Sequence, residues 1–257
     1  MNAIMMHYPA TPERVSLFNR VIAAHDPGVL VDRERIGVLA MFKKCWQAMP
    51  GPHGIVLQDD LLPCRNLMRA LDAITAILPD EPVCIYDMNI HSLRVAQGIG
   101  TQWRRLQSSN WGGSVMLPTS WVANMLAWID YALLPLNDWD DDIALCLYMR
   151  AFGRLFWHTP PLLQHLGSVS SQKHGRTYTG NQFFVGEDFD ALSVDWQQGI
   201  DSAHTELYPL SSDFFRRLTP EALADYDPTQ QSWRRGSVSD SLRPEGNHYG
   251  NHANLRH

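Results

Sequence analysis

Cysteine is scarce in this chain, and the few that occur are scattered. The four cysteines form no CxxC pair and have no histidine at metal-ligand spacing (Cys45, Cys64, Cys84 and Cys146). A disulfide framework or a zinc ribbon needs such patterns, so their absence argues against both. We therefore expect a reduced protein of the cytoplasm.

An excess of positive charge and long apolar runs are also lacking. The 21 Lys and Arg residues are outnumbered by 27 Asp and Glu, which gives a formal net charge of −6. A dedicated nucleic-acid coat or a polybasic membrane binder needs a dominant positive field, so only a local basic groove remains open. The longest apolar stretch, Val122 to Leu136, is interrupted by Asp130 and a proline, and no secretion signal opens the chain. We expect no membrane span.

What is present is enough material for one sizeable core. The 257 residues are 45% hydrophobic and 10% aromatic, as in ordinary globular proteins. This length suits a single α/β domain of about 200–250 residues with some decoration. Beyond Gly199 the pattern changes to isolated aromatic residues among polar ones. We predict one domain over residues 1–199, followed by an irregular C-terminal extension and tail over 200–257.

Short apolar runs alternate with segments of helical periodicity through the first half of the chain. Strands are predicted near 3–9, 29–32, 54–57 and 83–86, with helices at 11–24, 37–49 and 66–78 between them. A functional loop is predicted over 87–110, then a strand at 113–118, helices at 120–133 and 142–152, and a last strand at 155–158. This alternation indicates an α/β fold with a Rossmann-like, mostly parallel central sheet flanked by helices.

Two adjacent carboxylates follow the third predicted strand, in the run Ile55-Val56-Leu57-Gln58-Asp59-Asp60. Ligands of open α/β sheets bind beyond the carboxyl ends of the strands, so an acidic pair at this point can meet a phosphate-bound cation. Mg²⁺ and Mn²⁺ prefer oxygen ligands and are commonly held by one or two carboxylates plus substrate phosphates. The alternative is that Asp59 and Asp60 only cap the turn before Pro63.

A histidine and an acidic cluster stand further along the chain. His165 follows the apolar run Pro160 to Leu163, and an imidazole can complete the coordination of Mn²⁺, although a lone histidine is often structural. Asp140, Asp141 and Asp142 open a helical segment, where capping accounts for at least one of them. Because crowded carboxylates raise one another's pKa, the cluster also suits a general base that deprotonates a hydroxyl.

The order of these features resembles glycosyltransferases of the GT-A fold, particularly small bacteriophage-encoded ones and the lipooligosaccharide-type transferases related to them. The resemblance covers about residues 3 to 175. It rests on the acidic pair, the strand at Cys84-Ile85-Tyr86, a Trp-Gly-Gly strand reaching Leu117-Pro118, the acidic helix start and Pro160 to Gly167. In that family the first of the three polar positions at 58–60 is usually glutamate, and Gln58 departs from this pattern.

The resemblance implies a metal-dependent transfer of a sugar from a nucleotide-sugar, with uridine diphosphate as the preferred nucleotide and Mn²⁺ or Mg²⁺ as cofactor. It places the metal on Asp60 and His165, and the donor near Asp59. Asp141 is the favoured catalytic base, with Asp140 and Asp142 as alternatives, and the transfer is expected to invert the anomeric centre. The remaining donor and acceptor contacts are expected at His7, Tyr8, Pro9, Asp32, Trp111, Gly112 and Gly113.

The acceptor is the least determined part of this interpretation. The resemblance to phage enzymes implies one of three acceptors: a hydroxymethylated base in duplex DNA, a saccharide or a protein. It also implies that the protein acts in the host cytoplasm. Arg94, Arg104 and Arg105 with Trp103 and Trp111 are candidates for following a phosphate backbone and stacking a base. Two other readings stay open: a nucleotidyltransferase or phosphohydrolase, and an inactive module that binds a sugar nucleotide.

Overall fold

The computed structural model describes residues 1–9, 11–86, 103–106, 114–134, 141–152, 154–166, 184–206, 215–227 and 232–233. The predicted site residues Trp111, Gly112, Gly113 and Asp140 lie outside these ranges, as does Arg94.

Twelve strands and six α-helices are present in the described ranges. The strands are β1 (Asn2–His7), β2 (Gly28–Val31), β3 (His53–Gln58), β4 (Leu61–Pro63), β5 (Val83–Cys84), β6 (Arg104–Leu106), β7 (Val115–Pro118), β8 (Phe156–His158), β9 (Leu163–His165), β10 (His204–Glu206), β11 (Tyr226–Asp227) and β12 (Ser232–Trp233). The helices are α1 (Pro12–His25), α2 (Val38–Ala48), α3 (Leu67–Ile77), α4 (Val122–Ala132), α5 (Asp141–Ala151) and α6 (Pro220–Asp225).

The central sheet has eight strands in the order β10-β6-β8-β5-β7-β3-β1-β2. β1 pairs in parallel with β2 and β3, and β5 pairs in parallel with β8. β7 lies antiparallel between β3 and β5, so β1, β2, β3, β5 and β8 all run in one direction. β6 and β10 run the other way at one edge. The expectation of an α/β fold with a mostly parallel sheet flanked by helices is confirmed.

Helices cover both faces of this sheet because the strands alternate their apolar side chains between two cores. Ile4, Met6 and Val56 join one core with residues of α2, α4 and α5. Met5 and Ile55 point to the other face and pack with residues of α1 and α3. The sheet is therefore buried on both sides, which leaves its strand ends as the places where a ligand can bind.

Three features differ from the sequence predictions. Arg104–Leu106 is not part of a loop but pairs as β6 with β8 and β10 in the central sheet. The short strands β4 and β9 pair with each other outside the central sheet and were not predicted. The expected boundary at residue 199 does not coincide with the end of the sheet, since β10 extends it and Leu218, Ala222 and Tyr226 belong to a core.

None of the helices in the described ranges combines the length and the apolar character needed to cross a lipid bilayer.

Candidate active site at the carboxyl ends of the central strands

Three neighbouring parallel strands deliver their polar C-terminal residues to one edge of the sheet. β1 lies between β2 and β3 and ends at His7, which is followed by Tyr8. β2 is followed by Asp32, and β3 ends at Gln58 just before the acidic pair. Parallel strands end at the same edge, so residues spread over the first sixty positions meet there.

Asp59 is the centre of a hydrogen-bonded cluster. Its Oδ2 lies 2.7 Å from His7 Nδ1 and accepts a hydrogen bond of 2.7 Å from the backbone N–H of Tyr8. Its Oδ1 lies 2.9 Å from Nη1 of Arg14. Burial raises the pKa of Asp59, and the charge of Asp60 adds to this against the opposing effect of Arg14. Asp59 therefore fixes the loop that leaves β1, where the nucleotide was expected.

Asp60 is buried to 3% exposure and faces a different histidine. Nε2 of His165 lies 3.2 Å from its Oδ2, and Arg14 Nη2 contacts the same oxygen. Burial favours the neutral acid, but the hydrogen bond from His165 and the charges of Arg14 and His165 outweigh it and lower the pKa of Asp60. Asp60 is thus held as a carboxylate.

The contact between Asp60 and His165 is fixed by backbone pairing. β4 begins directly after the acidic pair, and Leu61 is the register partner of His165 in β9. The N–H of Leu166 donates to the carbonyl of Asp60 over 2.9 Å. Residues about a hundred positions apart are therefore held side by side. The structure thus brings together the two residues that the sequence analysis assigned to one site.

Arg14 was not predicted as a site residue. It lies in the first turn of α1, whose N-cap Thr11 accepts a hydrogen bond from the Arg14 N–H. Helix dipoles favour acidic side chains in a first turn, so a cation there needs a partner beyond the helix. That partner is the acidic pair. A basic residue in the first turn of the helix after β1 was the signal available in the sequence.

Gln58 connects the acidic pair to the acidic helix start. Its Nε2 lies 3.3 Å from Oδ2 and 3.4 Å from Oδ1 of Asp141, which is the first residue of α5 and is buried. The amide of Gln58 can donate a hydrogen bond to the carboxylate of Asp141, whereas a glutamate at this position would repel that carboxylate. The structure therefore brings Asp141 to the strand end that carries Asp59 and Asp60.

The other predicted contacts occupy varied positions. Asp32 donates its N–H to the His7 carbonyl over 2.8 Å, and its Oδ1 accepts from Ile36 N over 2.9 Å, so it closes the turn after β2.

Tyr8 is partly exposed, and the guanidinium carbon of Arg35 lies 5.7 Å from its ring centre. Pro9 is exposed. Asp142 is partly buried, and its Oδ1 accepts from Ile143 N over 2.7 Å within the first turn of α5.

The donor atoms beside Asp60 fit a divalent cation in part. Oδ1 of Asp60 is buried and meets no hydrogen-bond donor among the residues that the structure describes, although buried polar atoms normally have a partner. With the imidazole of His165 next to the other oxygen, the donors suit Mn²⁺ or Mg²⁺. No group of three or more His, Cys, Asp or Glu in the described part of the chain could hold a metal alone. Two protein donors therefore fit a cation whose remaining ligands come from a substrate.

The basic and aromatic residues expected to contact DNA occupy other environments. Trp103 is fully buried, and its Nε1 donates to the carbonyl of Trp196 over 2.8 Å, so it cannot stack on a base. Arg104 is only 2% exposed. The guanidinium carbon of Arg105 lies 5.2 Å from the ring centre of Trp157. Of this group, neither Trp103 nor Arg104 is available to a phosphate backbone, because both are packed inside the fold.

Compared with known proteins, the chain matches no protein-family model and no curated protein. The assignment of a function therefore depends on the α/β fold and on the geometry of the acidic pair.

Proposed function

We propose that this protein is a metal-dependent glycosyltransferase of the GT-A type that transfers a sugar from a nucleotide-sugar, a UDP-sugar in the first instance, to an acceptor hydroxyl. The observation that supports it most is the arrangement at Asp60. A buried carboxylate oxygen with no hydrogen-bond donor in the described part of the chain stands at the carboxyl end of a central strand, and His165 lies beside the second oxygen. A diphosphate-bound cation needs these donors at such a place.

The donor's nucleoside is proposed to lie over the loops after β1 and β2. The Tyr8 ring offers an aromatic face at the edge of the site, and Asp32 stands beside the same strand end through its hydrogen bond to the His7 carbonyl. Asp59 holds this loop in place through the Tyr8 N–H and the His7 ring. Aromatic stacking and hydrogen bonds to hydroxyl groups are how a base and a ribose are recognised.

In this proposal each site residue has one task. Asp60 and His165 would hold the cation, which would offset the negative charge that develops on the departing nucleoside diphosphate. Asp141 accepts the proton of the acceptor hydroxyl. The oxygen of that hydroxyl forms a bond to the anomeric carbon as the bond from this carbon to the phosphate oxygen breaks. Attack opposite the leaving group inverts the anomeric centre. Retained configuration in the product would contradict this assignment of Asp141.

The first experiment is thermal unfolding of the protein with nucleoside diphosphates and their sugars, with and without Mn²⁺. Saturation at about 100 times the dissociation constant adds roughly 2.7 kcal/mol of stability. We expect a shift with one nucleotide that depends on Mn²⁺ and is lost in Asp60→Asn. Asp130→Asn is the matched control, because Asp130 is an exposed carboxylate on α4 paired with Lys43. If none of the nucleotides shifts the unfolding transition, the transferase proposal is rejected.

A binding module that has lost catalysis is the second candidate, and the departure at Gln58 favours it. The two candidates differ in turnover. Hydrolysis or transfer of the sugar by the protein, abolished in Asp141→Asn with nucleotide binding retained, supports the enzyme. Acceptor screening begins with duplex DNA carrying hydroxymethylated bases and continues with saccharides and proteins. Binding to DNA that does not weaken as salt concentration rises would count against a DNA acceptor.

A further inference from the structure

We propose that Arg14 is the resident counter-cation of the acidic pair and keeps a free divalent cation out of the site until a nucleoside diphosphate binds. This inference rests on the proposed function, because it concerns the same metal and the same donor. It assigns to Arg14 control over the order in which the two ligands bind.

The geometry of Arg14 carries the proposal. Nη1 lies 2.9 Å from Asp59 Oδ1, and Nη2 contacts Asp60 Oδ2, so one guanidinium bridges both carboxylates. The two carboxylate side chains are 3% and 5% exposed, and the Arg14 side chain is 12% exposed. Of the two carboxylates, Asp59 pairs with His7 and Asp60 pairs with His165. Arg14 is therefore placed where it neutralises the pair as a unit.

A bound guanidinium and a divalent cation compete for this pair. Arg14 contacts the Asp60 oxygen that faces His165, and so lies beside the buried Oδ1 and the imidazole that would hold the proposed metal. Both cations are positive, and their repulsion is strong in a buried site, where the effective dielectric constant is low. With Arg14 in place, only one carboxylate oxygen of Asp60 is left to bind a free cation. The guanidinium has also neutralised the negative charge of the two carboxylates that would attract that cation. Its affinity for the protein alone is thereby reduced.

A diphosphate removes this competition because it offers partners to both cations. Guanidinium groups bind phosphate oxygens through two parallel hydrogen bonds, and divalent cations take phosphate oxygens as ligands. Arg14 stands in the first turn of α1, and its side chain has several rotatable bonds. In this proposal its guanidinium exchanges the carboxylates for a phosphate while the helix stays in place. Metal and nucleotide binding are then positively coupled.

The test measures Mn²⁺ affinity by electron paramagnetic resonance, with and without UDP, in the full-length protein. The variants are Arg14→Gln, Arg14→Lys and the control Arg20→Gln. Arg20 lies on the same helix but pairs with the exposed Glu187. We expect wild type to bind Mn²⁺ weakly alone and at least tenfold more tightly with UDP. Arg14→Gln should bind Mn²⁺ alone at least tenfold more tightly than wild type, with less further gain from UDP, while Arg20→Gln matches wild type.

The outcomes separate this inference from the proposed function. Unchanged or weaker Mn²⁺ binding by Arg14→Gln, while wild type still binds Mn²⁺ with UDP, overturns the role of Arg14 and leaves the transferase proposal standing. Absence of Mn²⁺ and UDP binding in every variant overturns both. If Arg14→Gln does not fold, Arg14→Lys decides, since an ammonium is a compact charge that cannot bridge two carboxylates as a guanidinium does. Tighter Mn²⁺ binding by Arg14→Lys than by wild type supports the proposal, and equal or weaker binding overturns it.

Discussion

The side-chain amide of Gln58 lies against the carboxylate of Asp141, with Nε2 at 3.3 Å from Oδ2 and 3.4 Å from Oδ1. This contact gives a physical reason for an amide at position 58. A glutamate would face Asp141 as a second negative charge in a largely buried place, whereas glutamine donates hydrogen to it.

We predict that Gln58→Glu destabilises the protein by about 1–3 kcal/mol at neutral pH in the presence of a chelator, because a buried acceptor loses its donor and meets a like charge. Like-charge repulsion raises the pKa of one carboxyl, so the loss should shrink as the pH falls and that group takes up a proton. Urea unfolding at two pH values measures this. Gln58→Met, which removes the donor without adding a charge, should show a smaller loss and a weaker pH dependence, and equal behaviour of the two variants would contradict the prediction.

His7 supports Asp59 by a hydrogen bond and Phe18 by stacking, with ring centres 3.9 Å apart and planes inclined by 12°. His7→Phe keeps an aromatic ring against Phe18 but removes the nitrogen that meets the buried carboxylate. We expect a loss of roughly 1–3 kcal/mol in the free energy of unfolding. In the transferase proposal, nucleotide affinity should fall as well, because the loop through Tyr8 loses one of its supports.

The matched variant for His7→Phe is Phe18→Leu, which reduces the stacking and leaves the hydrogen bond in place. Chemical denaturation of both proteins separates the two contributions. An undiminished stability of His7→Phe would show that the hydrogen bond between His7 and Asp59 adds nothing to the fold.

All four cysteines are free and buried. Burial raises the pKa of the thiols of Cys45 and Cys64 to about 12. Because the thiolate is the reactive form, we expect none of the four to react with a thiol reagent at about pH 8 while the protein is folded. In denaturant all four should react. Rapid labelling of the native protein at any of them would contradict the burial described here.

Phe42 has no exposed surface and lies in the core between α2 and the sheet, with its ring centre 6.1 Å from that of Trp46. Phe42→Ala should destabilise the protein by about 3–5 kcal/mol, since it removes a large buried side chain and leaves a cavity. Leu223→Ala on α6 is the control, because Leu223 is 46% exposed and its loss should cost about 0.5 kcal/mol or less. Urea unfolding of both variants gives the comparison.

The regular part of the fold follows from the sequence because it depends on local patterns. Helical periodicity and a threonine before a proline predict α1, and the structure places Thr11 at its N-cap. The same reasoning finds β3 and the acidic pair at its end. It does not find β4 and β9, because three-residue strands carry no period and are held by pairing between distant segments.

The candidate site could be predicted only in the parts that sit at strand ends. Asp59, Asp60 and His165 were expected in one site. The register of β4 with β9 places Asp60 and His165 side by side. Arg14 was missed because a charged residue on a helix normally faces water, and its salt bridges depend on how α1 packs over β4. Trp103 was assigned to a surface because aromatic residues among arginines suit both a binding face and a core, and burial decided between them.

The pairing of Leu61 with His165 also has a consequence for how the protein folds. The carboxylate and the imidazole of the candidate site become neighbours only after a loop of about a hundred residues has closed. Closing such a loop costs somewhat more entropy than closing a shorter one, and contacts of this range form slowly. During synthesis the acidic pair therefore leaves the ribosome long before its histidine. A chain that stops short of β9 lacks the place where Asp60 and His165 meet.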